Sequence, residues 1–374
     1  MSKNISSKMS QMSVSGIRQV FELSQKLKNP LNLSIGKPDF SIPENIKKVA
    51  QKAIQENKND YSLTFGLPEL RQAVAKKLRQ KNKIKQATAQ NTIITSAVSG
   101  GLTVVLPTLI NPGDEVILFD PYFVGYKQLI LLFNGIPKIV PKNDDFSLNI
   151  QALRQAITSK TKVIIINTPE NPTGHIWNKK ELQQLASLAE KHNIPVIADE
   201  IYEDFIYDNH RHISLSSIYK NTITLGGFSK SHAMTGWRIG WLNAPTEIIQ
   251  EIMKVQQYTF VCPPTPFQYA GLEALRTDIS PFVDRYEKRA KLIYQGLQKR
   301  YSLTSPQGAF YFFIKYPYNP QKFIQDCLAH NLLLIPGEVF SEKNTHFRLS
   351  FVAPQSDLKQ AIKILNNLAV SLSV

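Results

Sequence analysis

Residues 161–200 read TKVIIINTPENPTGHIWNKKELQQLASLAEKHNIPVIADE. A run rich in β-branched residues, Lys162–Asn167, leads into a turn-forming stretch, Asn171-Pro172-Thr173-Gly174. A segment of helical period follows over Glu181–His192, and then a second short apolar run, Pro195–Ala198, which stops at Asp199 and Glu200. Strand, helix and strand in this order form a βαβ unit. The runs are apolar throughout rather than alternating, the pattern of strands covered on both faces.

The same alternation extends on either side. Thr92–Thr95, Glu115–Phe119 and Thr222–Leu225 read as further strands of one mainly parallel α/β sheet. Upstream, a flexible start over Met1–Ser15 leads to expected helices at Ile17–Lys28, Pro43–Asn57 and Leu67–Arg79, the first closed by Asn29-Pro30. Downstream of Pro245 the chain reads as helical to about Arg300. Strand-like segments (Gly308–Ile314, Leu332–Ile335, His346–Phe351) then mix with helices, the last carrying Leu358, Ala361, Ile362, Leu365, Leu368 and Ala369 as one apolar stripe. This tail is a second, smaller α+β domain.

Composition bounds the function. With 374 residues the chain has room for two domains, and 43% hydrophobic with 20% charged residues excludes global disorder and a fibrous rod. The apolar-leaning run at Gly100–Ile110 falls short of the ~18 residues a membrane span needs, and Met1–Ser15 lacks the apolar segment of a secretory signal. The two cysteines, Cys262 and Cys327, form no CxxC pair, which places the chain in a reducing cytoplasm. His210 and His212 lie in a polar loop without a second ligand cluster, so no metal site is expected. The net charge of +15 is spread as lysine pairs such as Lys76-Lys77 and Lys179-Lys180 without a long basic block, so nucleic acid is not an expected partner.

Ligands of open parallel sheets bind beyond the carboxyl ends of the strands. After Thr92–Thr95 comes Ser96-Ala97-Val98-Ser99-Gly100-Gly101, which opens a helix, and a helix start offers free N–H groups to an anion. After Lys162–Asn167 comes Asn171, and after Pro195–Ala198 come Asp199 and Tyr202. After Thr222–Leu225 comes Gly226-Gly227-Phe228-Ser229-Lys230, then Arg238. A lysine at a buried strand end is poised for Schiff-base chemistry. A buried carboxylate is what keeps a cofactor pyridine nitrogen protonated.

In this order the motifs resemble those of class I aminotransferases of the aspartate, aromatic and alanine kind, fold-type I enzymes that use pyridoxal 5'-phosphate (PLP). The match runs from about Leu33 to Val352. The resemblance implies a mainly parallel seven-stranded sheet sandwiched by helices. It divides the chain into an arm with part of the small domain (1–45), a large PLP-binding domain (46–285) and a small domain (286–374). It implies that Lys230 carries PLP and moves the proton, that Asp199 pairs with the ring nitrogen, and that Tyr202 and Asn171 hydrogen-bond the ring's phenolic oxygen. Arg238 would grip the phosphate with Val98, Ser99 and Ser229 beside it, and Phe123 would stack on the ring. Arg348 and Gly36, with Asn171, would bind the substrate α-carboxylate. Tyr61 of each subunit would reach the phosphate in the other subunit's site, which makes the working unit a homodimer.

The sequence departs from that pattern in places. Gly227 stands where many relatives have serine, and Ala97-Val98 where the phosphate loop often has glycine. No second arginine matches the one that dicarboxylate-specific members use. The expected reaction is therefore a ping-pong exchange of an amino group between a neutral or aromatic L-amino acid and a 2-oxo acid, 2-oxoglutarate by family habit. Tyr122, Phe123, Tyr258 and Phe260 would wall the pocket, and Lys37 would serve as a spare cation. His175, directly after the Gly174 turn, could touch the site, but a surface or packing role is expected. Two other readings are a β-eliminating carbon–sulfur lyase, which needs the same lysine and acid, and a basic nucleic-acid-binding regulator on a retired scaffold. The intact Lys230 and Asp199 speak against the last.

Overall fold

The computed structural model describes residues 4–370 except Ser15 and Lys26. The strands are β1 (Leu31–Asn32), β2 (Thr92–Thr95), β3 (Glu115–Asp120), β4 (Ile136–Pro141), β5 (Thr161–Asn167) and β6 (Val196–Asp199), then β7 (Thr222–Gly227), β8 (Gly240–Asn243), β9 (Tyr311–Lys315), β10 (Leu332–Leu333), β11 (Ile335–Pro336) and β12 (His346–Ser350). Seven of them form one sheet in the order β2-β8-β7-β6-β5-β3-β4. β8 runs antiparallel to both of its neighbours, whereas β3–β7 are linked by parallel ladders. The fold is the expected α/β architecture with a mostly parallel seven-stranded sheet flanked by helices.

The sequence reading passed over β4 and β8. β4 carries Pro137, Lys138 and Pro141, and prolines are tolerated there because it is an edge strand. β8 is four residues long and opens on a glycine. Trp241 of β8 lies flat against β7: a Cβ on Gly226 would fall 2.7 Å from the indole. The glycines at the start of β8 and the end of β7 are thus packing requirements of this antiparallel return.

Helix boundaries follow local chemistry. The helix Lys179–Lys191 starts two residues before Glu181 because Asn178 and Glu181 close a capping box. The long helical region after Pro245 is three helices, Thr246–Thr259, Thr265–Ala274 and Ser280–Leu297. The first break falls at the Pro263-Pro264 bend beside the left-handed Val261. The first α-helix spans Gly16–Ser24, shorter than the expected Ile17–Lys28, of which Lys26 lies outside the described residues. The expected flexible start lies partly outside them too, and its described part includes a short 3-10 helix at Ser7–Gln11.

A small antiparallel sheet, β11-β12-β9, and the pair β1-β10 make up the second unit together with the helices Pro320–Ala329 and Gln355–Val370. Leu358, Ala361, Leu365 and Leu368 of the last helix are buried, as their stripe requires, while Ile362 and Ala369 are half-buried at its margin. One apolar core runs from Leu102 and Leu118 beside the large sheet through Tyr202, Phe205 and Phe310 to Phe347 and Leu365. The helix Ser280–Leu297 spans residue 285 unbroken and packs on Gln355–Val370. Among the described residues no helix is long and apolar enough to cross a membrane. Cys262 and Cys327 are free thiols.

Candidate active site

Three parallel strands end side by side. β5 ends at Asn167, β6 at Asp199, and β7 at Gly227, three residues before Lys230. Asn167 ties the first two ends together: its amide donates to the Asp199 carbonyl at 2.9 Å, and its Oδ1 accepts from the Asn171 N–H at 2.8 Å. The backbone that carries Asp199 and Asn171 is thereby fixed before any ligand enters.

Asp199 is fully enclosed, and that burial pushes its carboxyl up to about 6, against the pull of its hydrogen bonds and of Lys230. Oδ2 accepts from the Tyr126 hydroxyl at 2.6 Å, and Oδ1 from the Ile201 N–H at 3.1 Å. Lys230 Nζ donates to the Gly36 carbonyl at 2.6 Å. Its ammonium is brought down to about 8, first by burial and then by the charge of Arg348. An acid near 6 and an amine near 8 in one site are a pair poised to hold and pass protons at neutral pH.

Arg238 sits at the far side of Lys230 with its own backbone left-handed, at φ 54°. Its fork donates to the Thr235 carbonyl at 2.8 Å and to Ser99 Oγ at 2.8 Å. Ser99 and Val98 lie in the first turn of the helix Ala97–Leu109, whose N-cap Ser96 makes no side-chain cap bond. A guanidinium fork beside uncapped N–H groups is a phosphate-sized anion site. Ser229 Oγ is buried without a hydrogen-bond partner, and a buried hydroxyl left so is costly unless a ligand completes it. Gly227 has a steric reason: a Cβ there would meet the Gly240 Cα at 3.1 Å and the Ile239 carbonyl at 3.2 Å, so a serine would force β7 and β8 apart.

Arg348 rises from β12 and is 1% exposed. It donates to Asn171 Oδ1 at 3.0 Å and to the Ser34 carbonyl at 2.6 Å, while its Nε has no partner. The rings of Tyr311 and Phe340 flank the guanidinium at 4.5 and 4.7 Å. Among the described residues Arg348 forms no ion pair with a carboxylate, so the protein holds a buried cation whose natural counter-charge is a ligand carboxylate. The nearby Arg285 and Arg289 are already spent on Asp39, at 3.2 and 2.9 Å.

The expected site residues Lys230, Asp199, Tyr202, Asn171, Arg348 and Gly36 thus lie in one contact network, with Arg238, Ser99 and Val98 together at the start of the helix Ala97–Leu109 and Ser229 next to Lys230 in the chain. Phe123 is half-buried and meets Tyr126 edge-on at 5.5 Å. Tyr61 is 83% and Tyr258 87% exposed, so neither ring completes a site within its own chain. Tyr122 is buried and donates to Glu342. Lys37 is exposed. His175 is buried against Glu181 at 3.1 Å, where it supports the helix cap. His212 belongs to a buried trio with Glu200 and Glu203, but His212 pairs with Glu200 and Lys77 with Glu203, so both carboxylates already have compensating partners.

Sequence reasoning missed Tyr126, Tyr311, Ser34 and Phe340. Tyr126 had a signal: it follows Phe123 by three residues, one helical turn, and so shares its face.

Comparisons over the whole chain place it in a family. The family model described as aminotransferase class I and II matches residues 28–365. An aspartate aminotransferase of Pyrococcus abyssi is 35% identical, the alignment covering 93% of this chain and 94% of the relative. An aromatic-amino-acid aminotransferase of Thermococcus litoralis is 34% identical over 96% of each. The solved aspartate aminotransferase of Thermus thermophilus with maleate superimposes with a TM-score of 0.93 at 30% identity, covering 98% of this chain and all of that one.

Proposed function

The chain belongs to the aminotransferase class I and II family and is a PLP-dependent aminotransferase, and from that premise we propose that it moves an amino group between a neutral or aromatic L-amino acid and a 2-oxo acid by a ping-pong route, as a cytoplasmic homodimer. PLP supplies the electron sink for this chemistry. Each residue of the site then has a task. Lys230 Nζ holds the cofactor between turnovers and carries the proton that moves during them. Asp199, aimed by Tyr126, holds the proton of the ring nitrogen. Tyr202 and Asn171 donate to the phenolic oxygen, and Phe123 covers a ring face. Arg238, Ser99, Ser229 and the N–H of Val98 bind the phosphate. Arg348 takes the substrate α-carboxylate against Gly36.

The observation that carries the substrate preference is that Arg348 is, among the described residues, the one buried arginine without a carboxylate partner. Arg348 matches one carboxylate, and Arg285 and Arg289 are bound to Asp39. A second carboxylate in a closed pocket without its own cation costs several kcal/mol. The relatives' names divide between aspartate and aromatic amino acids, so the test is direct. With one fixed acceptor, kcat/KM for phenylalanine, tyrosine, alanine and methionine should exceed that for aspartate. A tenfold preference for aspartate, about 1.4 kcal/mol of transition-state binding, overturns the neutral-pocket reading. Efficient use of 2-oxoglutarate as acceptor calls for a second cation, and Lys37 at the Gly36 turn is the residue to replace in testing it.

The dimer rests on Tyr61, Leu63, Tyr258, Phe260 and Val261, apolar side chains exposed in the segment before Leu67 and at the C-terminal end of the helix Thr246–Thr259. The helix Thr265–Ala274 that follows is tied to the first segment where Thr265 donates to the Asp60 carbonyl and Gln268 to Ser62. Such a patch needs a cover. Mixing inactive Lys230→Ala subunits with Tyr61→Phe subunits should restore activity, because each hybrid dimer holds one site with both residues intact. Full activity in a species that sizes as a monomer contradicts the composite site.

A further inference from the structure

We infer that Tyr311 is a positioning residue for the aminotransferase reaction: it holds the Tyr202 hydroxyl so that the Tyr202 proton faces the cofactor's phenolic oxygen. The inference rests on the role proposed for Tyr202 and adds a residue to it. The two hydroxyls are 2.9 Å apart and both side chains are buried. For each this is the one hydrogen bond its hydroxyl makes among the described residues. In a bond between two phenols one O–H donates and the other remains free.

The surroundings decide which. The guanidinium of Arg348 lies 4.5 Å over the Tyr311 ring and draws electron density from it, which strengthens Tyr311 as the donor. Burial raises both phenols, Tyr202 the further, while after burial the charge of Arg348 is what most holds Tyr311 back. Among the described residues the Tyr311 hydroxyl has no hydrogen-bond partner other than Tyr202. It lies over the bare Cα of Gly36, where a Cβ would come within 2.2 Å of it. With Tyr311 donating, the Tyr202 oxygen is occupied as acceptor and its own proton is directed into the site. Cooperative polarisation along the chain makes Tyr202 the stronger donor. Gly36 is glycine here because Tyr311 fills the space a side chain would need.

The test reads the chromophore rather than turnover. The PLP-loaded protein is titrated with pH by visible absorbance. A donor to the phenolic oxygen stabilises the negative charge left when the lysine–cofactor nitrogen gives up its proton, so weakening that donor raises the midpoint. Tyr311→Phe keeps the ring under Arg348 and removes the hydroxyl. Its midpoint should rise by roughly 0.5–1 pH unit, the worth of one hydrogen bond. KM for the amino donor should stay within about twofold, because the ring–guanidinium contact remains. Tyr202→Phe should raise the midpoint at least as far, and adding Tyr311→Phe to it should shift the midpoint no further. An unmoved midpoint in Tyr311→Phe while Tyr202→Phe moves it, or additive shifts in the double variant, overturns the inference and leaves the role of Tyr202 standing. Unmoved midpoints in both overturn the two together. If Tyr311→Phe does not fold, Gly36→Ala displaces the same hydroxyl and must raise the midpoint; no rise overturns the inference.

Discussion

Lys230→Ala is expected to lower turnover by ~10⁴-fold or more, because the proposed function makes one side chain both covalent anchor and proton carrier. Borohydride reduction of the wild-type protein and peptide mapping should place the pyridoxyl label on Lys230; a label on another lysine contradicts the assignment. The same residue carries a second, less obvious prediction. Burial holds its ammonium at about 8 in the folded chain, below the ordinary 10.5. Between those values the unfolded chain binds more protons than the folded one, so stability rises with pH across that window and the full penalty applies below pH 8. Lys230→Met removes the charge at similar length. The cofactor-free variant should be more stable than wild type at pH 7 by ~1–3 kcal/mol, and the advantage should shrink towards pH 10. Thermal melts of the two apo proteins at pH 7 and pH 10 check it, and a variant that melts lower at both refutes it. The active lysine is a feature the fold tolerates rather than one that holds it together.

Asp199→Ala should cut the single-turnover rate by about 10³-fold, the scale of losing one preorganised electrostatic partner in a dry site, while the chain still folds. In the cofactor-free protein the carboxyl titrates at about 6, above its ordinary 3.8. The stability it contributes is present below the ordinary value and is lost as pH rises through 6. A cation on the ring nitrogen reverses this. PLP should therefore raise the melting temperature of wild type at pH 7.5 by more than that of Asp199→Ala. Equal increments, or a variant with most of its single-turnover rate, rule out the ring-nitrogen role.

Much of this was legible because parallel strands announce their ends. Asp199, Asn171 and Lys230 are polar residues placed just where an apolar run stops, and a sheet buried on both faces gives them one place to go. Tyr311 was not legible for the opposite reason, and Tyr126 offered only its helical spacing from Phe123. Tyr311 opens the apolar strand Tyr311–Lys315, where a tyrosine reads as core, and Tyr126 stands between Gly125 and Lys127 in Val124–Leu132, where it reads as one helix position among others. What makes them functional is a hydroxyl meeting a residue 73 or 109 positions away, and local period carries no information about that. Arg348 was reached through family resemblance alone; an arginine in a short strand has no signature until its partners at Ser34 and Asn171 are known. Gly227 read as a missing phosphate ligand, and the structure gives it a cause in the close approach of β7 and β8.

The clamp around Arg348 also sets an order of events at birth. Every group proposed to hold the cofactor within one chain lies between Val98 and Arg238, a single continuous stretch. Arg348, proposed to take the substrate carboxylate, has by contrast its anchor, Ser34, 314 residues earlier. β1 pairs with β10 across a similar span. During synthesis the polypeptide therefore emerges with its ring-binding wall long before its amino-acid-binding wall, and closing so wide a loop is slow. On the proposed roles, the residues that hold the cofactor are translated before Arg348, so the two halves of the site are separated in time by the translation of the small unit.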